Sequence, residues 1–198
     1  MKFTKIPEDT FQHLQLNAGI VAKAFSPETG ALQNTDIMGA TSGGLSFEAK
    51  PTFKDGGGDI DNCPKNTMEL KVLEAWEVKF TGNFVTVTPE SAARSVGVAD
   101  VDGSKITPRG DLKTEDFKDL WLVCDYSNKN DEKGGGFVAV HMLNSLSTGG
   151  FKLQTKDKDK GTFAVEFTAH YSLKEQMRVP FEIYIQEGTE EQTEETKE

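Results

Sequence analysis

Positive charge is scarce in this chain. Lys and Arg number 22 against 32 Asp and Glu, giving a net charge of −10 and a pI near 4.9. A nucleic-acid grip needs clustered cations to displace counterions, so that class is disfavoured. Cysteine is rarer still: Cys63 and Cys124 lie far apart, and neither belongs to a Cys-x-x-Cys pair. That pattern fits free thiols in a cytosol-made protein. No stretch approaches the roughly 20 apolar residues of a membrane helix. The start, Met1 to Glu8, lacks the apolar core of a secretory signal.

Chemistry-bearing constellations are missing too. His13, His141 and His170 are scattered, and none has a second ligand at metal spacing. There is no G-x-S-x-G elbow, and the pairs Gly43-Gly44 and Gly149-Gly150 lack the Lys of a phosphate loop. The run from Asp100 to Ser104 begins like a calcium loop, but Lys105 occupies the sixth position and Asp111 the twelfth, so it reads as a turn. Asp55, Asp59 and Asp61 could offer oxygens to a cation, yet their spacing matches no calcium motif. They read instead as solvated or intersubunit carboxylates. A non-enzyme without metal or cofactor is expected.

What is present is strand patterning. The 36% hydrophobic content supports one core, and thirteen Phe with two Trp supply much of it. Leu14, Leu16, Ala18, Ile20, Ala22 and Ala24 alternate along one face. Leu45, Phe47, Ala49, Pro51 and Phe53 do the same opposite Ser46, Glu48, Lys50 and Thr52. Trp76, Val78, Phe80 and Phe84 alternate with Glu77, Lys79, Thr81 and Asn83, and a phase slip toward Val85 predicts a bulge near Gly82–Phe84. Asp119–Asp125 is apolar on both faces, the mark of a strand buried on two sides. Further strands are expected at Phe137–Leu143, Phe151–Thr155, Phe163–Tyr171 and Val179–Ile185. His141 shares a face with Phe137, Ala139 and Leu143, so a partly buried, hydrogen-bonded histidine is expected. One helix is predicted over Pro89–Val96, capped by Thr88, with Pro at its first position and Gly97 closing it. Thr114–Phe117 suggests a single helical turn. The sum is a mainly β chain of about eight strands, a β-sandwich or partly open barrel with one short flanking α-helix and long loops. Residues 1–12 read as an arm, 13–187 as the domain, and 188–198 as an acidic, disordered tail.

Between two of these strands lies the longest polar run, Lys54 to Thr67, with glycines at 56, 57 and 58. Loops of this length without secondary structure are uncommon in compact domains, and glycine is costly to order. Something outside the monomer is therefore expected to order it. Ser127–Gly136 is a second such loop. Exposed strand edges are further candidates, since unpaired backbone groups template another strand.

The chain also resembles a known family. The resemblance is carried by Phe11 to Gly19, Gly39 to Phe47, Asp59 to Asn66, Trp76 to Lys79, His141 to Phe151 and Val179 to Ile185, over about residues 11–187. It is to the major tail (tail tube) proteins of long-tailed bacteriophages and of prophages in Gram-positive bacteria. The resemblance implies a structural virion protein whose six copies close into a ring. The rings stack into the tube that conducts DNA into the host, without specific DNA binding. It implies as partners the protein itself, a tape-measure protein, and tail tip and terminator proteins. It also implies assembly in the host cytoplasm and no membrane association. By the same resemblance, residues 54–67 reach the adjacent ring, through Asp55, Gly56, Gly57, Gly58, Asp59, Asp61 and Lys65. Deleting Asp55–Asp59 is then expected to spare the monomer but abolish long tubes. An acidic wall would not hold DNA, and Glu48, Glu77, Glu166 and Glu182, on polar strand faces, are the lumen-facing candidates. Two other readings remain: a head–tail joining or terminator ring, and a β-sandwich that binds receptors or carbohydrate.

Overall fold

The computed structural model describes residues 5–10, 13–126 and 136–187. Of the arm at 1–12 only 5–10 are described, and there Thr10 N donates to Pro7 O at 3.2 Å. The loop at 127–135 and the segment 188–198 lie outside the described residues.

Among the described residues, ten strands and one α-helix build a β-sandwich that does not close into a barrel. The strands are β1 Gln15–Ala22, β2 Thr41–Asp55, β3 Lys71–Phe84, β4 Ala99–Asp102, β5 Lys105–Pro108, β6 Lys118–Tyr126, β7 Gly136–Ser147, β8 Lys152–Lys156, β9 Asp159–Thr168 and β10 Phe181–Gln186. All eight expected strands occur. The β4–β5 hairpin is the addition, paired from Ala99↔Pro108 to Asp102↔Lys105.

Every pairing is antiparallel. One layer holds β1, β6, β7 and β10, and the other holds β2, β3, β9 and β8. The end of β7 joins them through Leu146↔Thr168 and Ser147↔Phe167. Between the layers sits the main core, in which Val21, Leu120, Leu122, Val140 and Met142 meet Val78, Phe80, Val165 and Phe167. Trp121, Ala139, Phe137 and Ala22 point the other way into a second cluster, covered by Phe25 and Leu32. This is the two-sided burial that the β6 pattern predicts.

Helix α1, Pro89–Val96, has its expected bounds. The Thr88 side chain accepts from Ser91 N at 3.1 Å, and Ser91 Oγ accepts from Thr88 N at 2.8 Å. A serine thus completes the reciprocal cap usually made by Glu or Gln. Gly97 closes the helix at φ 89°, with Ser147 O only 3.0 Å from where a Cβ would stand.

Three expectations are corrected. β1 does not alternate evenly, because Asn17 and Gly19 take φ of 60° and 69° and make a bulge between Leu16 and Ile20. Val21 therefore reaches the main core, while Leu14, Ala18 and Ala24 stay exposed. The bulge expected near Gly82–Phe84 lies on the partner strand: Thr41 pairs with Phe84 and Leu45 with Gly82, so β2 carries the extra residues. Gly43 and Gly44 supply the positive φ it needs. Finally, β9 ends at Thr168, and Tyr171 lies beyond it, its hydroxyl accepting from Trp76 N at 3.0 Å.

Candidate assembly surfaces

The long polar loop is the tip of the β2–β3 hairpin, and its bounds differ from those the sequence suggests. Lys54 and Asp55 belong to β2, paired with Val72 and Lys71, so the connection spans 56–70. Asp55 organises it. Its carboxylate accepts from Gly57 N at 3.0 Å and Asn66 N at 2.9 Å, while Gly56 N donates to Leu70 O and Lys71 Nζ to the Asn66 side chain. These contacts, led by the Asn66 and Gly57 amides, hold the Asp55 pKa below its ordinary value. Gly57 is buried, and a Cβ there would meet Leu70 Cδ1 at 2.6 Å. The tip thus carries an internal frame within a single chain. Asp55, Gly56 and Gly57 belong to that frame, whereas Gly58, Asp59, Asp61 and Lys65 point no described contact inward and are exposed. Deleting Asp55–Asp59 would unmake the tip itself.

The hairpin outruns the sandwich. β9 pairs with β3 only over Lys79–Phe84, so Lys71–Ala75 has β2 as its strand partner and no other among the described residues. On this arm Phe53 is 52% exposed, Val72 58% and Met68 79%, and Leu73 is about half exposed. The sequence places Phe53 on a core face; the facing layer ends before reaching it. A two-stranded ribbon is marginal alone, and apolar contacts made by another chain would stabilise it.

The four candidate carboxylates do not share a wall. Glu48, Glu77 and Glu166 lie on the outer face of the β2-β3-β9-β8 layer, opposite Val78, Phe80, Val165 and Phe167. Glu182 lies on β10, in the other layer, tied to Arg178 at 2.9 Å and Tyr184 OH at 2.7 Å. The tyrosine hydroxyl, then Arg178, hold its pKa below the usual carboxylate value. The shared face is also less acidic than expected: Glu48 stands across from Lys79, and Lys50 from Glu77. Each such pair is worth roughly 0.2–1 kcal/mol. A shallow cleft of about 420 Å³ crosses this face beside Gly43 and Gly44, flanked by Lys152 and Glu166.

His141 stacks on Trp121 with centroids 4.0 Å apart and meets Asp119 Oδ2 at 3.0 Å through Nε2. That hydrogen bond is the main cause of a lowered Asp119 pKa. His13 and His170 are elsewhere, against Tyr126 and Asn144. Arg178 and Tyr184, which fix Glu182, lie only four and two residues from it; strand alternation puts Tyr184 on the face of Glu182, a signal the sequence reading missed. Among the described residues, no helix is long and apolar enough to cross a membrane. No protein-family model matches the chain, and no curated protein sequence matches it.

Proposed function

We propose that this chain is the subunit of a phage tail tube, closing into six-membered rings that stack into a conduit for DNA. The observation that carries the reading is the β2–β3 arm, which extends past its own sandwich with Phe53, Val72 and Leu73 in solvent. Fully burying such a side chain is worth about 1.5–3 kcal/mol, so a neighbouring copy has much to gain by covering them. Ring closure is the second support. Barrels of roughly 16–18 strands enclose only a solute-sized channel, so a duplex-wide lumen needs several chains. Six copies of a four-stranded layer give about 24 strands and leave that layer no exposed edge. The resemblance over residues 11–187 names the same architecture, with tape-measure, tip and terminator proteins as partners.

The two layers support one assignment of lumen and exterior. The β1-β6-β7-β10 layer has its outer face covered by Phe25 and Leu32. The β2-β3-β9-β8 layer leaves its polar face bare, and that face is the one a passing duplex would meet. Its interleaved Glu and Lys offer no cationic patch to hold phosphate.

Sedimentation velocity at rising concentration tests the proposal. The unaltered protein should pass from monomer to species of ring size or larger. A Phe53→Ser, Leu73→Ser variant should keep its circular dichroism and stay monomeric at the same concentrations. Equal assembly by both proteins would remove the arm from the account.

A further inference from the structure

We infer that neighbouring copies join edge to edge, β8 of one against β2 of the next, in the register that sets Leu153 opposite Phe47 and Lys152 opposite Glu48. The inference rests on the ring reading and names its lateral contact.

The four edges of the sandwich are not equivalent. β1 is broken by its bulge, and β10 belongs to the layer whose outer face is covered. β2 and β8 bound the layer with the bare face, and among the described residues neither has a strand partner on its far side. The layer alternates direction over an even number of strands, so β8 and β2 run oppositely. The next copy can therefore extend the ladder antiparallel without reversing. Such a contact uses two different edges, which is the condition for a ring rather than a closed pair.

Backbone direction then restricts the register. Val78 O accepts from Ala169 N, and Trp76 N donates to Tyr171, so both turn away from β2. Their partners Ala49 and Pro51, and in phase with them Phe47 and Leu45, therefore aim their backbone groups at the free edge. Pro51 has no N–H to offer. On the other side, Glu166 O accepts from Thr148 N and Gly149 N, so the even residues of β9 bond toward β8. Lys152↔Ala164 and Gln154↔Thr162 are then bonded pairs, and Leu153 faces the open edge. Leu153 can thus pair with Leu45, Phe47 or Ala49.

Charge selects among these. Opposite Ala49, Leu153 would bring Lys152 against Lys50; opposite Leu45, it would bring Lys152 against Ser46. Opposite Phe47, it brings Lys152 against Glu48, on the same outer face, with Phe151 beside Ala49 on the inner one. Glu48 then lies between Lys79 of its own copy and Lys152 of the next. Leu153, 55% exposed in the single chain, gains a partner in Phe47.

Cysteine cross-linking reads the register. In a Cys63→Ser background, Glu48→Cys with Lys152→Cys creates thiols three strand spacings and four residues apart in one chain, roughly 20 Å, too far to bridge internally. Across the proposed contact they form a non-bonded pair with Cα atoms about 4.5 Å apart. Oxidation of concentrated protein should give a covalent ladder reaching the hexamer. Lys50→Cys with Lys152→Cys should give at least tenfold less. Rings or tubes in micrographs with no ladder, or equal ladders from both pairs, would overturn the register while leaving the ring reading intact. Monomers in micrographs together with no ladder would overturn both.

Discussion

Asp55 shows how one carboxylate sets a loop. Its two oxygens accept from Gly57 and Asn66, residues nine apart in sequence, and so fold the tip back on the strand that carries it. Because its folded-state pKa is depressed, its contribution is fully present above the ordinary carboxylate value of 3.8 and is lost as pH falls through the lower folded-state value. Asp55→Asn removes one of the two acceptors. The tip should then be cleaved faster by protease at neutral pH, at a rate the parent approaches only in acid; cleavage as slow as the parent's would show that the frame lies elsewhere. Little of this was legible beforehand. The sequence presents Asp55, Asp59 and Asp61 as equals in a polar run. Only the register Asp55↔Lys71 separates the first from the others, and register is set by contacts distant in sequence. The charge partners of Glu48 and Glu77 were hidden for the same reason.

At the scale of elements, local signals were readable and long-range ones were not. α1 was legible because Thr88, Pro89 and Gly97 each act within one turn of the helix end. Thr88→Ala leaves Ser91 N without its acceptor and should lower stability by about 1 kcal/mol in chemical denaturation. β6 was legible because two-sided burial writes apolar residues at successive positions, here Leu120 to Val123. β1 misled, since its bulge at Asn17–Gly19 shifts the phase, so that Val21, off the expected face, reaches the main core and Ala22 the second cluster. β4 and β5 escaped notice because four-residue strands hold too few alternations to register. Phe80 is fully buried in the core between the layers, beside its strand neighbour Phe167 at 6.3 Å between centroids. Phe80→Ala should cost about 3–5 kcal/mol, read as a lower denaturation midpoint; a loss under 1 kcal/mol would mean the layers do not close as described.

For the whole molecule, the sandwich is complete in its core and incomplete at its margins. Some of the exposed apolar residues are grouped, while others, such as Leu173, Met177, Ile183 and Ile185, lie elsewhere. Phe53, Val72, Leu73 and Met68 follow the arm, and Leu153 and Phe151 follow β8. A monomer carrying net charge −10 resists casual association. In the proposed ring, a second copy matches these margins strand for strand and supplies both edges. Electron microscopy of the concentrated protein, with class averages viewed down the assembly axis, tests this most directly. The account predicts six-fold rings, singly or stacked into tubes, around a hole at least as wide as a DNA duplex, about 20 Å. Single particles of monomer size at every concentration, or rings whose centre is closed, would contradict it.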